Sequence, residues 1–187
     1  HMQAGQLTVA GQFAKRVAMQ PDAIALTDGA RSLTYSELAQ HVAQLAGALQ
    51  ASGLKRGDRV AMWSENRFEY IELELAAAQL GLIVACLNWR LTDEEQRHCI
   101  RLVEPALVIV SPRYAPALLR LGEVASAHLV LGEIFEAWRQ AAQPVPPDDA
   151  VSPEDGLVIL YTSGTTGLPK GALVSQRAMV ARAMVFS

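Results

Sequence analysis

The chain has 187 residues, 51% of them hydrophobic and 19% charged, with a net charge of −3, enough apolar length to bury a core as one or two compact units. The faintly acidic balance offers no basic stripe to nucleic acid, so any phosphates it handles belong to a small molecule. The longest apolar segment, Leu75 to Leu87, is broken by Gln79 and Gly81 and falls short of the roughly twenty residues of a membrane span.

No positively charged start leads into an apolar stretch, so no signal peptide is predicted and a cytoplasmic location is expected. His1-Met2 reads as a remnant of an expression vector. Cys86 and Cys99 form no C-x-x-C pair, which suggests neither a zinc site nor a disulfide framework. Both are expected as buried thiols, and no metal ligand is assigned.

In chain order, an opening helix is predicted over Val9 to Met19. Ala23 to Thr27 and Arg31 to Thr34 then flank Asp28-Gly29-Ala30 as a hairpin. Thr34 and Glu37 are spaced as a capping box, and Leu38, Val42, Leu45 and Leu49 form the apolar stripe of a helix that ends at Gly53. A strand over Arg59 to Trp63, a helix from about Asn66 to Leu80 and a strand over Leu82 to Leu87 follow. Thr92 and Glu95 cap another helix, and Pro105 separates it from a strand over Ala106 to Val110. A helix over Ala115 to Leu121, a strand over Ala127 to Leu131 and a helix over Ile134 to Gln140 complete a first unit, residues 1–140. Alternating strands and helices, with strands such as Leu107 to Val110 apolar on both faces, predict an α/β fold: a mostly parallel sheet with helices on both faces.

Residues 141–155 change in texture. Gln143 to Asp155 holds four of the nine prolines and four acidic residues and reads as an extended connector. Residues 156–187 form the last segment. Here the apolar run Gly156 to Leu160 feeds Tyr161-Thr162-Ser163-Gly164-Thr165-Thr166-Gly167-Leu168-Pro169-Lys170-Gly171, and Ala172 to Ser175 return as a strand into a further helix. Three glycines expose backbone N–H groups, four hydroxyls add donors and Lys170 adds positive charge, a collection suited to a polyphosphate. The spacing is not G-x-x-x-x-G-K-[ST], because Pro169 stands where the second glycine would be and Gly171 replaces the magnesium-binding hydroxyl.

The segment Thr162 to Gly171 resembles the signature loop of the adenylate-forming, AMP-binding superfamily, which includes acyl-CoA synthetases. Leu33-Thr34-Tyr35-Ser36-Glu37-Leu38 and Leu54-Lys55-Arg56-Gly57-Asp58-Arg59-Val60-Ala61 resemble that family in the same order. The resemblance implies that Thr162, Ser163, Gly164, Thr165, Thr166, Gly167 and Lys170 hold ATP phosphates, with Lys170 also assigned the catalytic role of offsetting charge on the leaving pyrophosphate. The implied reaction joins a fatty or aromatic carboxylic acid to Mg·ATP as an acyl-adenylate, then passes the acyl group to coenzyme A. Mg²⁺ and coenzyme A are therefore expected, and the resemblance implies a small C-terminal lid domain that is expected to lie beyond these 187 residues. A helix running to Ser187 without a cap, and a phosphate loop with almost nothing after it, suggest the incomplete N-terminal portion of a longer enzyme, inactive alone. Two alternatives stay open: a non-catalytic ATP-binding fragment or scaffold, and a peptide-synthetase adenylation domain. Oligomeric state is not legible.

Asn88-Trp89-Arg90-Leu91 resembles an Asn-x-Arg-Leu segment of fatty-acyl and aryl-CoA synthetases, although Arg90 itself reads first as the partner of a helix carboxylate. Ser175-Gln176-Arg177 departs from the family pattern, which places a histidine where Gln176 stands. The remaining polar residues read as structural. His41 lies at the edge of a helix stripe, and His98 and His128 lack partners at metal-ligand spacing. Asp93, Glu94 and Glu95 complement a helix dipole, Glu65, Glu69, Glu72 and Glu74 form a solvated helix face, and Trp63 and Trp89 anchor the core.

Overall fold

Thr34 ends one element and starts the next. The computed structural model describes residues 7–162 and 167–181. Strands β1 (Ile24–Asp28) and β2 (Arg31–Thr34) pair antiparallel as a small separate sheet after helix α1 (Val9–Met19). Thr34 then caps α2 (Tyr35–Ala51): its Oγ1 accepts from the Glu37 N–H at 3.1 Å, and Glu37 Oε1 accepts from the Thr34 N–H at 2.9 Å. The reciprocal bonds satisfy two donors that a helix start otherwise leaves open. The same box, Thr92 with Glu95, opens α4 (Asp93–Val103).

The main sheet holds β3 (Arg59–Trp63), β4 (Ile83–Cys86), β5 (Leu107–Val110), β6 (His128–Val130), β7 (Gly156–Thr162) and β8 (Lys170–Ser175) in the order β6-β5-β3-β4-β7-β8. Every pairing is parallel except that of β8 with β7. Alternate side chains of β3, β4 and β5 enter two separate cores. Val60, Met62, Val84, Leu107 and Ile109 pack toward α1, α2, α3 (Phe68–Leu80) and α6 (Glu133–Gln140). Ala61, Trp63, Ala85, Val108 and Val110 pack toward α4 and α5 (Ala115–Arg120). Helices on both faces explain why these strands are apolar throughout.

Helix α3 departs from expectation. It starts at Phe68, because Arg67 is extended (φ −144°) and stands as the N-cap. It touches α1 and α2 on one side and β4 and β7 on another, leaving little solvated face. Glu69 and Glu72 are therefore buried, at 6% and 1% exposure. Arg67 and Arg31 lie 3.3 and 4.0 Å from the Glu69 carboxylate, and His41 Nδ1 lies 3.1 Å from Glu72. A buried carboxylate persists only when paired in this way. Glu74 has no ion-pair partner among the described residues, and burial pushes its carboxyl up to about 7.

The proline-rich connector lies against the helices. The Val145 N–H donates to Ala43 O at 3.1 Å and the Asp148 N–H to Gln79 O at 2.8 Å. The Gln143 carbonyl rests over Gly47 so closely that a Cβ there would approach within 1.9 Å. The strands on either side of the connector, β6 and β7, belong to one sheet.

Candidate active site

In an open parallel sheet, ligands gather outside the carboxyl ends of the strands. At that edge β3 runs into Ser64 and Glu65, β4 into Asn88, β5 into Ser111, and β7 into the glycine-rich loop. The neck of the loop is fixed by the antiparallel pairing of β7 with β8, in which Thr162 stands opposite Lys170. Both residues are exposed. Gly167 adopts φ +102°, a left-handed region that side-chain-bearing residues enter only with strain. Of the predicted set, Thr162 and Lys170 are thus brought opposite each other and Gly167 lies between them in sequence, whereas Ser163, Gly164, Thr165 and Thr166 lie outside the described residues.

The neck leans on α4. The Tyr161 hydroxyl donates to the Cys99 carbonyl at 2.9 Å, and His98 Nε2 lies 3.1 Å from the Pro169 carbonyl oxygen. A carbonyl only accepts, so Nε2 carries the hydrogen. Burial raises the Tyr161 hydroxyl pKa and pushes the Cys99 and Cys86 thiols up to about 11 and about 12. Cys99 is fully buried and Cys86 partly exposed, and such thiols are poor nucleophiles at neutral pH. Sequence reasoning missed both ties to the loop, because each joins residues more than sixty positions apart with no local pattern.

Gln176 lies elsewhere. Ser175 pairs with Gly156, at the opposite end of the hairpin from the loop neck. At about 3.3 Å per residue the two ends are roughly 20 Å apart. The Gln176 side chain is fully buried: Oε1 accepts from the Val9 N–H at 2.9 Å, and Nε2 donates to the Ala78 carbonyl at 2.9 Å. It clips α1 and α3 to α7 (Gln176–Ala181). The residue that departs from the family pattern thus fills a structural position between three helices.

Around Asn88 two readings change. Trp89 is 58% exposed and no core anchor, unlike Trp63, which is 3% exposed and stacks on Tyr114 at 5.9 Å. The Arg90 guanidinium lies 5.1 Å over the Trp89 ring, a cation–π pairing at the surface instead of a bond to a helix carboxylate. The turn itself is fixed by Asn88, whose Oδ1 accepts from the Arg90 N–H at 3.0 Å and whose carbonyl accepts from the buried Gln96 amide.

The profile of the family described as AMP-binding enzyme matches residues 13–187. The chain belongs to that family. It is 36% identical over 161 residues to a feruloyl-CoA synthase of Amycolatopsis, covering 86% of this chain and 32% of the relative. It is 34% identical to ScoC of Streptomyces coeruleorubidus, a fatty acid–acyl-carrier-protein ligase, covering 87% of this chain and 32% of ScoC. The chain therefore spans about a third of the length of these relatives. Among solved structures, the N-terminal domain of FACL13 from Mycobacterium tuberculosis superposes with a TM-score of 0.83 at 25% identity, covering 90% of this chain and 44% of the other. Among the described residues no helix is long and apolar enough to cross a membrane, and no group of three or more His, Cys, Asp or Glu side chains could hold a metal ion.

Proposed function

We propose that this AMP-binding chain is part of an ATP-dependent acid–thiol ligase, which activates a fatty or aromatic carboxylic acid as an acyl-adenylate and then forms its coenzyme A thioester. The observation that carries the reading is the loop neck. Thr162 and Lys170 face each other at the carboxyl end of β7, with a hydroxyl- and glycine-rich segment between them in sequence. Residues 162–167 and Lys170 are assigned to the β- and γ-phosphates of ATP, and Lys170 offsets the charge that grows on pyrophosphate as a carboxylate oxygen attacks the α-phosphorus. Donors aimed in advance at a leaving group lower the barrier electrostatically. Magnesium is counted with ATP as the substrate Mg·ATP, and no residue is assigned to it.

The relatives support the substrate class, since one is named for an aromatic acid and the other for fatty acids. ScoC, named for a carrier-protein acceptor, supports a second reading in which the acyl group passes to a carrier thiol. The test incubates the product of the complete reading frame with Mg·ATP, coenzyme A and a panel of aromatic and fatty acids. Equal amounts of AMP and acyl-CoA are expected for one acid class. AMP with thioester only when a carrier protein is supplied selects the second reading, and bound ATP without AMP for any acid contradicts both.

A further inference from the structure

Pro169 is buried although its neighbours Leu168 and Lys170 are exposed. Proline has no N–H, so its carbonyl is the one backbone hydrogen-bonding group it brings to the loop. That carbonyl is met by His98 Nε2 at 3.1 Å. The peptide unit joining Pro169 to Lys170 is planar, so the direction of the Pro169 carbonyl fixes the direction of the Lys170 N–H and the position of the Lys170 Cα from which its side chain departs. One turn-neighbour of His98, Cys99, receives the Tyr161 hydroxyl with its carbonyl at 2.9 Å. Tyr161 directly precedes Thr162, so α4 grips the loop on both sides of its neck. Beside this grip α4 and the loop border a cavity of about 500 Å³ lined by Glu94, Arg97, His98, Arg101, Leu102 and Leu168. Among the described residues, the His98 and Tyr161 bonds are the two hydrogen bonds that tie the neck to α4.

We propose that His98 is a positioning residue for the phosphate loop: by holding the Pro169–Lys170 peptide plane against α4, it aims Lys170 at the polyphosphate of ATP. The inference rests on the proposed function of the loop. His98 touches no substrate, and its contribution is to remove the freedom of Lys170 to turn away, a preorganisation effect.

The test titrates Mg·ATP into the product of the complete reading frame and into His98→Ala, His98→Gln and Lys170→Ala variants. Loss of one neutral hydrogen bond predicts about tenfold weaker binding in His98→Ala. His98→Gln, whose amide can donate to the same carbonyl, is expected within about threefold of the unmodified protein. His98→Ala should lower the thermal midpoint only by the few degrees that one hydrogen bond is worth, about 2–4 °C, and His98→Gln by less, which separates positioning from a general loss of structure. Unchanged affinity in His98→Ala, alongside weakened binding in Lys170→Ala, overturns the inference and leaves the function of the loop standing. Absence of Mg·ATP binding in the unmodified protein overturns the function of the loop. Amide hydrogen exchange at Gly167 and Gly171 then decides the positioning separately: faster exchange in His98→Ala, restored in His98→Gln, supports it, and identical exchange in all three refutes it.

Discussion

Gln176→Ala is expected to destabilise the protein severely. The substitution strands two buried backbone groups at once, the Val9 N–H and the Ala78 carbonyl, each now bonded at 2.9 Å. A buried donor or acceptor left without a partner costs about 1–3 kcal/mol. With the packing lost on truncation, the total comes to roughly 4 kcal/mol. In a chain of this size each kcal/mol moves the midpoint by about 2–4 °C, so a fall of about 8–16 °C is expected. Urea unfolding followed by tryptophan fluorescence measures the loss directly. Gln176→Met, which keeps the volume and removes both bonds, should retain most of the destabilisation. Because Ser175 pairs with Gly156, far from the Thr162–Lys170 neck, neither variant should change Mg·ATP affinity while folded. A loss below about 1 kcal/mol in both variants would show that the two backbone groups find other partners, and would refute the clip.

Two further outcomes follow from buried groups. Burial raises the Glu74 carboxyl to about 7 from its ordinary 4.5, so between those values the folded state holds a proton that the unfolded state has lost. Stability from this group is then fully present below about pH 4.5 and falls as pH rises to about 7, by about 3 kcal/mol. Glu74→Gln should therefore gain on the unmodified protein by about that amount between pH 5 and pH 8 in urea unfolding, and a pH-independent difference would contradict the burial argument. Gly47→Ala places a Cβ 1.9 Å from the Gln143 carbonyl oxygen. Displacing the connector should cost about 1–3 kcal/mol despite the better helix propensity of alanine, and an unchanged thermal midpoint would show that the connector is not docked there.

Features governed by neighbouring residues were legible in the sequence. Both capping boxes, the hairpin around Gly29 and the doubly apolar strands follow from spacing alone, and with them the parallel sheet between two helical layers. Sequence spacing failed where partners are remote. Four glutamates in and beside α3 read as a solvated face, because nothing near them announces that Arg31 and His41 arrive from other elements to pair with Glu69 and Glu72. The connector composition suggested an extended segment but not where it lies, and its Val145 and Asp148 N–H groups bond to Ala43 and Gln79. The run from Thr162 to Lys170 stood out in the sequence as a candidate phosphate site, but its support by His98 and Tyr161 depends on β7 lying beside α4, which no local pattern encodes. Gln176 was noticed as a departure from a family pattern, but its buried bonds to α1 and α3 were not legible, since only the register of β8 and the packing of the helices place it.

The most direct test of the phosphate loop is the rate of pyrophosphate formation by the product of the complete reading frame and its Lys170→Ala variant, with Mg·ATP and the acid it uses best. Loss of a charge-stabilising group at a leaving pyrophosphate predicts about a hundredfold lower rate with the fold intact. Equal rates in the two proteins would contradict the role of Lys170 and, with it, the reading of the loop as the site that holds the departing phosphates.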